Sequence, residues 1–231
     1  MHFAPLGDRA VTITLGETID ERTHRLVRAV SAAIDAASPA GVVDQVPAFA
    51  SVTVHYDPRA VAGDDTTSPY SRLVACLERL VSAVRVEDLP SPRVVEIPVC
   101  YGGELGPDLE DVARRHSLTP DDVVRIHTEG DYLVYMVGFM PGFAYLGGLS
   151  ERIATPRRAS PRTKVPVGTV GIGGHQTGVY PLESPGGWNL IGRTPVQIFD
   201  LNRDEPILLE TGDRVRFRPI SLAEYRSWAS P

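Results

Sequence analysis

Four stretches in the second half of this chain carry side chains able to do chemistry, and they follow one another closely. Thr155-Pro156-Arg157-Arg158-Ala159-Ser160-Pro161-Arg162 repeats Pro-Arg five residues apart. Proline restricts the backbone, so Arg157 and Arg162 can meet a carboxylate or phosphate at little ordering cost; a solvated basic loop is the plain alternative. Lys164, two residues further on, is the only lysine beside 22 arginines. Gly173-Gly174-His175-Gln176-Thr177-Gly178-Val179-Tyr180-Pro181 then sets polar groups between glycines. His175 can serve as acid or base, Gln176 and Thr177 as hydrogen-bond partners, and Tyr180 as a donor. Ser184-Pro185-Gly186-Gly187-Trp188-Asn189-Leu190-Ile191-Gly192-Arg193-Thr194-Pro195 adds a Gly-Gly turn, an indole and a guanidinium. It lacks the Gly-Lys-Ser/Thr ending of a phosphate-binding loop, and Ser184 lacks the G-x-S-x-G setting of a nucleophile. Upstream, Phe139, Phe143 and Tyr145 surround the turn Met140-Pro141-Gly142, as a pocket rim or as core.

These stretches share a window whose composition differs from the rest. Between Gly138 and Asp200, 63 residues hold 12 of the 21 glycines, and three acids against six bases. The window is therefore formally +3 in a chain of −6, leaving −9 elsewhere. Bare backbone N–H groups and cations converging in this way can hold an anion. A tight β-barrel, whose bulges and turns also need glycine, accounts for the same residues, and both readings are kept.

The elements that must position these residues follow from periodicity. Strands are expected at Thr169–Ile172, Val196–Phe199, Pro206–Leu209 and Arg214–Pro219, with a Gly212-Asp213 turn before the last. Thr119-Pro120-Asp121-Asp122 opens a helix, combining an N-cap hydroxyl, proline at the first helical position and acids in the first turn. Leu109, Val112 and Ala113 mark a shorter helix before it. His116 and His127 fall near helix ends, where an imidazolium is favoured by the helix dipole.

In the first half the expected order is β-α-β-β-α-β, a ferredoxin-like arrangement. Its strands are Val11–Leu15, Val42–Val46, Ser51–Tyr56 and Val94–Val99. One helix starts at Thr18 and buries Leu26, Val27, Val30, Ala33 and Ile34; the other opens at Ser68-Pro69 and buries Leu73, Cys76, Leu77, Leu80 and Val84. The intervening loop from Ala60 to Pro69 reads as mobile. The expected division is 1–92 for the βαββαβ domain and 93–231 for a mainly-β domain with short helices at 107–128.

Composition bounds the function classes. With 42% hydrophobic and 23% charged residues the chain is ordinary globular material. Two cysteines at dissimilar sites exclude a disulfide framework or a cysteine-rich metal centre. The acidic balance argues against general nucleic-acid binding. The opening residues suggest no secretory signal. Residues 132 to 150 carry no charge and are long enough for a membrane span, but their glycines and Pro141 favour a strand and loop. A cytoplasmic location, without a membrane partner, is expected.

In order and spacing the four stretches closely resemble the family that comprises the 5-oxoprolinase B subunit, allophanate hydrolase subunit 1 and KipI. The resemblance begins at Gly7-Asp8-Arg9-Ala10 and runs through His55-Tyr56-Asp57 and Glu96-Ile97-Pro98-Val99-Cys100-Tyr101-Gly102-Gly103. It persists to Gly212-Asp213-Arg214-Val215-Arg216-Phe217. It implies a cyclophilin-like β-barrel for the second half. His175 departs from the pattern, standing where glycine or asparagine is expected, so Gln176 becomes the favoured polar residue.

The resemblance further implies a non-autonomous subunit of an ATP-dependent 5-oxoprolinase, which opens the lactam of 5-oxo-L-proline to glutamate. Phosphorylating the amide oxygen would turn a poor electrophile into an activated carbon. The B and C subunits would perform that activation and the A subunit the ring opening. On this reading Gln176, Tyr180, Arg193 and His175 are the catalytic candidates. Arg157, Arg162, Lys164, Thr177, Phe143 and Trp188 would bind substrate or anion. ATP with magnesium would be shared with partner subunits, since no carboxylate pair marks a metal site here. A urea or allophanate carboxyltransferase role and KipI-like inhibition of a histidine kinase are the alternatives. Prolyl isomerisation follows only from fold analogy. No biotin-attachment Met-Lys-Met is present.

Overall fold

A computed structural model of the chain describes residues 1–63, 66–86, 89 and 91–228. Asp64 and Asp65 of the expected mobile loop, and Pro90 of the break before Val94, lie outside the described residues. The chain divides into two compact units after Ser91.

The first unit contains β1 (His2–Pro5), β2 (Ala10–Thr14), α1 (Glu21–Ala37), β3 (Val42–Pro47), β4 (Ser51–Tyr56) and α2 (Pro69–Ser82). Its four strands form an antiparallel sheet in the order β1-β2-β4-β3. Alternation along β4 buries Val52, Val54 and Tyr56, which pack with Val27, Val30 and Ile34 of α1 and Leu73 and Leu77 of α2. Helix α1 begins two residues later than expected, because Asp20 rather than Thr18 is its N-cap. The Asp20 carboxylate accepts from the Thr23 N–H at 2.8 Å and from the Thr18 hydroxyl at 2.6 Å. The Thr18 hydroxyl first, then Thr23, hold the Asp20 carboxyl down to about 2.

The expected βαββαβ order is not what this unit contains. Its order is ββαββα, with the N-terminal strand β1 beside β2 at one sheet edge. Segment Val94–Tyr101, expected to complete this sheet, is instead β5 of the second unit. Its residues Ile97, Pro98, Val99 and Cys100 are all buried, so both faces need cover, which one face of an open sheet does not supply.

The second unit is built on a closed barrel of seven strands. Beside β5 these are β6 (Tyr132–Val137), β7 (Ala144–Gly147), β9 (Thr169–Gly173), β10 (Gln176–Val179), β12 (Asn189–Arg193) and β13 (Arg214–Pro219). They close in the order β10-β7-β6-β13-β5-β12-β9. All pairings are antiparallel except β13 with β5, which run parallel. A separate ribbon joins β8 (Arg162–Val165) to β11 (Ser184–Gly186). Helices α3 (Leu109–Arg115) and α4 (Pro120–Thr128) add Leu109, Val112, Val123 and Ile126 to the same core as Ile97, Val134, Ile172 and Phe217. A reciprocal Thr119–Asp122 capping box starts α4. Helix α5 (Leu222–Trp228) follows β13.

The strands expected at Val196–Phe199 and Pro206–Leu209 reduce to one antiparallel bridge, Phe199 with Ile207. Ile198 and Leu209 are buried nonetheless, so their apolar pattern reports core packing rather than extended pairing. Among the described residues no helix is long and apolar enough to cross a membrane. The charge-free stretch from 132 to 150 contains β6, the Met140–Gly142 turn and β7.

Candidate functional site

Strands β9 and β10 put side chains of opposite character on their two faces. Val170, Ile172, Thr177 and Val179 enter the barrel core or its hydrogen bonds. Gly171, Gly173 and Gly178 alternate with them and present bare backbone outward, and the Trp188 indole lies on that surface. A Cβ on Gly173 would come within 2.4 Å of the indole nitrogen, so the ring's close approach requires glycine there. Phe143 packs edge-to-face against Trp188 at 5.6 Å, Tyr180 at 5.4 Å, Tyr145 at 5.0 Å and Phe139 at 5.5 Å between ring centroids.

These rings, with Arg157, Pro161, Pro185 and the Gly186-Gly187 pair, line a cleft of about 250 Å³. The cleft is below the usual size for drug-like ligands and suits a small molecule. Phe143, Tyr180 and Trp188 are buried, whereas Phe139 is 65% exposed and forms the lip. Burial raises the Tyr180 phenol above its ordinary value, partly offset by the Trp188 backbone N–H and by Arg157. The neutral hydroxyl is able to donate a hydrogen bond.

The arginine loop is held by one carboxylate. Asp108, 3% exposed, accepts from Arg162 at 2.7 Å, from Arg158 at 3.1 Å and from the Leu190 N–H at 2.7 Å. The backbone is fastened on either side of Arg157: the Pro156 carbonyl accepts from the Asn189 amide at 2.9 Å, and the Arg158 N–H donates to the Gly187 carbonyl at 2.7 Å. Arg157 is left with its guanidinium carbon 5.9 Å from the Trp188 ring centroid, a cation–π contact.

Of the residues singled out from sequence, Phe143, Arg157, Tyr180 and Trp188 therefore line one cleft. Arg162 is engaged by Asp108 beside it, and Lys164 pairs with Glu183 at 2.9 Å. His175 occupies the second position of a two-residue hairpin after Gly174 (φ +68°) and reaches Glu151 at 3.2 Å from an exposed position. Gln176 begins β10, half-buried, outside the cleft lining. Arg193 ends β12, four residues from Asn189, and is also outside that lining; its Nε is buried with no hydrogen-bond partner among the described residues.

Thr177 belongs to the barrel interior. Its hydroxyl donates to the Gly171 carbonyl at 3.0 Å and lies 2.9 Å from His127 Nε2. Since that hydroxyl proton is spent, Nε2 carries the ring proton and donates, and His127 Nδ1 accepts from the Tyr101 hydroxyl at 2.8 Å. Burial drives the His127 pKa down to about 3, so the ring is neutral, correcting the expectation of an imidazolium at the helix end. The enclosing rings of Tyr101, Tyr132 and Phe217 outweigh the helix dipole. No local pattern in the sequence marks Asp108, because its partners lie 50, 54 and 82 positions away.

The cleft offers one guanidinium and no carboxylate, which does not fit a nucleoside triphosphate and its counter-ion. Among the described residues no group of three or more His, Cys, Asp or Glu side chains is arranged to hold a metal ion.

A closed barrel with a built outer cleft, following an α+β unit, defines the class, and residues 1–209 match the family described as carboxyltransferase domain, subdomain C and D. This chain belongs to that family. Along its length it is 46% identical over 226 residues to the 5-oxoprolinase B subunit of Bacillus subtilis (strain 168), covering 96% of this chain and 94% of that one. It is 43% identical over 217 residues to the 5-oxoprolinase B subunit of Haemophilus influenzae, covering 94% and 97%. The crystal structure of TTHA0988 superposes with a TM-score of 0.80 at 39% identity, over 92% of this chain; this chain spans only 40% of that longer one. A urea amidolyase of Lachancea kluyveri is 26% identical over 254 residues, 96% of this chain but 13% of that protein.

Proposed function

We propose that this chain is the B subunit of an ATP-dependent 5-oxoprolinase and works in the cytoplasm with two partners, the C subunit (allophanate hydrolase subunit 2-like) and the A subunit. The observation that carries this reading is the end-to-end identity of 46% with a protein of that name, over 96% of this chain. Opening a lactam needs its carbonyl activated, its substrate held and water admitted at the right step. This chain supplies a pocket of aromatic rings with one cation and two phenols, Tyr145 and Tyr180, which can hold a small polar ring and orient its carbonyl. It does not supply a triphosphate site in that pocket, so ATP and magnesium belong chiefly to the partner subunits in this reading. The chain is accordingly inactive alone. Arg193, half-buried at the end of β12, and Gln176, at the start of β10, remain for contacts completed by a partner.

The test is 5-oxoproline-dependent ATP hydrolysis by the three subunits together, with each omitted in turn. Glutamate and ADP formed only when this chain is present are the expected result. A soluble, assembled mixture without activity overturns the assignment and moves it to the urea pathway, for which the more distant urea amidolyase stands. Stoichiometric capture of a histidine kinase would move it instead to an inhibitory role.

A further inference from the structure

We propose that the aromatic cleft is the recognition site for a small cyclic amide bearing a carboxylate, with Arg157 as its carboxylate anchor and Tyr180 as donor to its amide oxygen; this rests on the 5-oxoprolinase reading. The charges near the cleft separate into two groups. Arg158 and Arg162 are committed to buried Asp108, and Lys164 to Glu183. Arg157 forms no ion pair among the described residues, yet its backbone is fastened on both sides and its guanidinium is set over Trp188. The planar guanidinium fork, near the Trp188 ring and outside any ion pair among the described residues, can meet a carboxylate through two parallel N–H donors. Around it Phe139, Phe143, Tyr145, Tyr180 and Trp188 supply apolar faces, and among the described residues no carboxylate lines the cleft beside the cation.

Backbone strain marks the same place. Phe139 has φ +69°, a conformation that a bulky residue rarely adopts, and it is 65% exposed. Folding alone gains little from holding an exposed aromatic ring in that state. The turn that imposes it, closed by Gly138 N–H to the Phe143 carbonyl at 3.0 Å and Phe143 N–H to the Met140 carbonyl at 3.1 Å, keeps the ring as a lip over the cleft. At about 250 Å³ the cleft has room for a five-membered ring with its substituent. Tyr180 lines the cleft, so its hydroxyl can donate to the amide oxygen of such a ring.

Two measurements test the site. In a Trp228→Phe background, which leaves Trp188 as the sole indole, emission of the full chain is titrated with 5-oxo-L-proline, 2-pyrrolidinone and L-proline. Saturation by 5-oxo-L-proline, at least tenfold weaker binding of 2-pyrrolidinone, and loss of the response in Arg157→Ala are expected. Equal binding of the acid and the uncharged lactam, or an Arg157→Ala chain that binds as before, overturns the inference. In the assembled enzyme Arg157→Ala raises KM for 5-oxoproline about tenfold or more with a smaller change in kcat, and Arg157→Lys recovers part of the loss. Turnover with KM unchanged overturns the site and leaves the 5-oxoprolinase assignment standing. If the assembly never consumes 5-oxoproline the assignment falls instead, and the titration decides the site alone: a saturable response lost in Arg157→Ala supports it, and no saturable response overturns it.

Discussion

The inside and the outside of the barrel treat their polar groups in opposite ways. On the inside, Tyr101, His127 and Thr177 form a one-way chain of donors that ends on the Gly171 carbonyl, and each proton has an acceptor. On the outside, Arg157 is placed over Trp188 with no ion pair among the described residues, while Arg158, Arg162 and Lys164 each have a carboxylate partner. A satisfied buried network contributes rigidity and uniqueness of packing. A cation held still without a counter-charge is instead poised for a ligand. The contrast teaches that the residue type is a poor guide to function here and that the remaining hydrogen-bonding capacity is a better one.

The comparison breaks most easily on the inside. Replacing His127 by Ala leaves the Tyr101 and Thr177 groups short of a partner and opens a cavity between three rings, so a loss of about 3–5 kcal/mol is expected. Denaturant unfolding of the full chain measures it, and a loss below about 1 kcal/mol would mean the network is not structural.

Acid should find the same residue. The unfolded chain takes up a proton on this histidine near 6.5, the folded chain only near about 3, so its contribution is complete above 6.5 and declines as pH falls toward 3. The groups facing the ring are Tyr101, Tyr132, Thr177 and Phe217, none of them charged. Between pH 7 and pH 4 the loss amounts to about 3 kcal/mol. His127→Gln should remove that part of the slope, and an unaltered slope would place the acid sensitivity elsewhere.

Asp108 joins the two environments, since it is buried and yet fastens an exposed loop. Asp108→Ala strands the Leu190 N–H and releases Arg158 and Arg162, which are 37% and 25% exposed at the side chain and so are rescued in part by water. A loss of about 2 kcal/mol in stability is expected, together with faster proteolysis at Arg157 and Arg158. Retained resistance of that loop would show that the Asn189 and Gly187 bonds hold it unaided.

The smallest effects belong to the exposed outer pairs. Lys164→Ala and His175→Ala, which break contacts to Glu183 and Glu151, should each change stability by less than about 0.5 kcal/mol. A larger change at either would make the outer surface more than a frame for the cleft.

Much of the fold was legible because it is local. The strand Ser51–Tyr56, the Ser68 and Thr119 helix starts and the final strand Arg214–Pro219 rest on alternation and capping within a few residues. The site was legible in part. The glycine-rich window and its aromatics pointed to the cleft, and Arg157 within the Pro-Arg repeat to its cation. His127, Thr177 and Asp108 were misjudged or missed, since their roles depend on partners 26 to 82 positions distant.

By itself, then, the sequence determined several strands and helix starts, which residues are apolar, and that a positive, glycine-rich segment exists. Those properties are set by backbone preferences and by side-chain character over a turn or a pleat. Only the tertiary structure decided that Val94–Tyr101 leaves the first sheet to lie parallel with β13 in the barrel, because pairing depends on which edge can cover both its faces. It also decided that Arg158 and Arg162, and not Arg157, pair with a carboxylate. That is a question of where one buried carboxylate, Asp108, finds its partners, and burial and hydrogen-bond saturation exist only once distant segments have met.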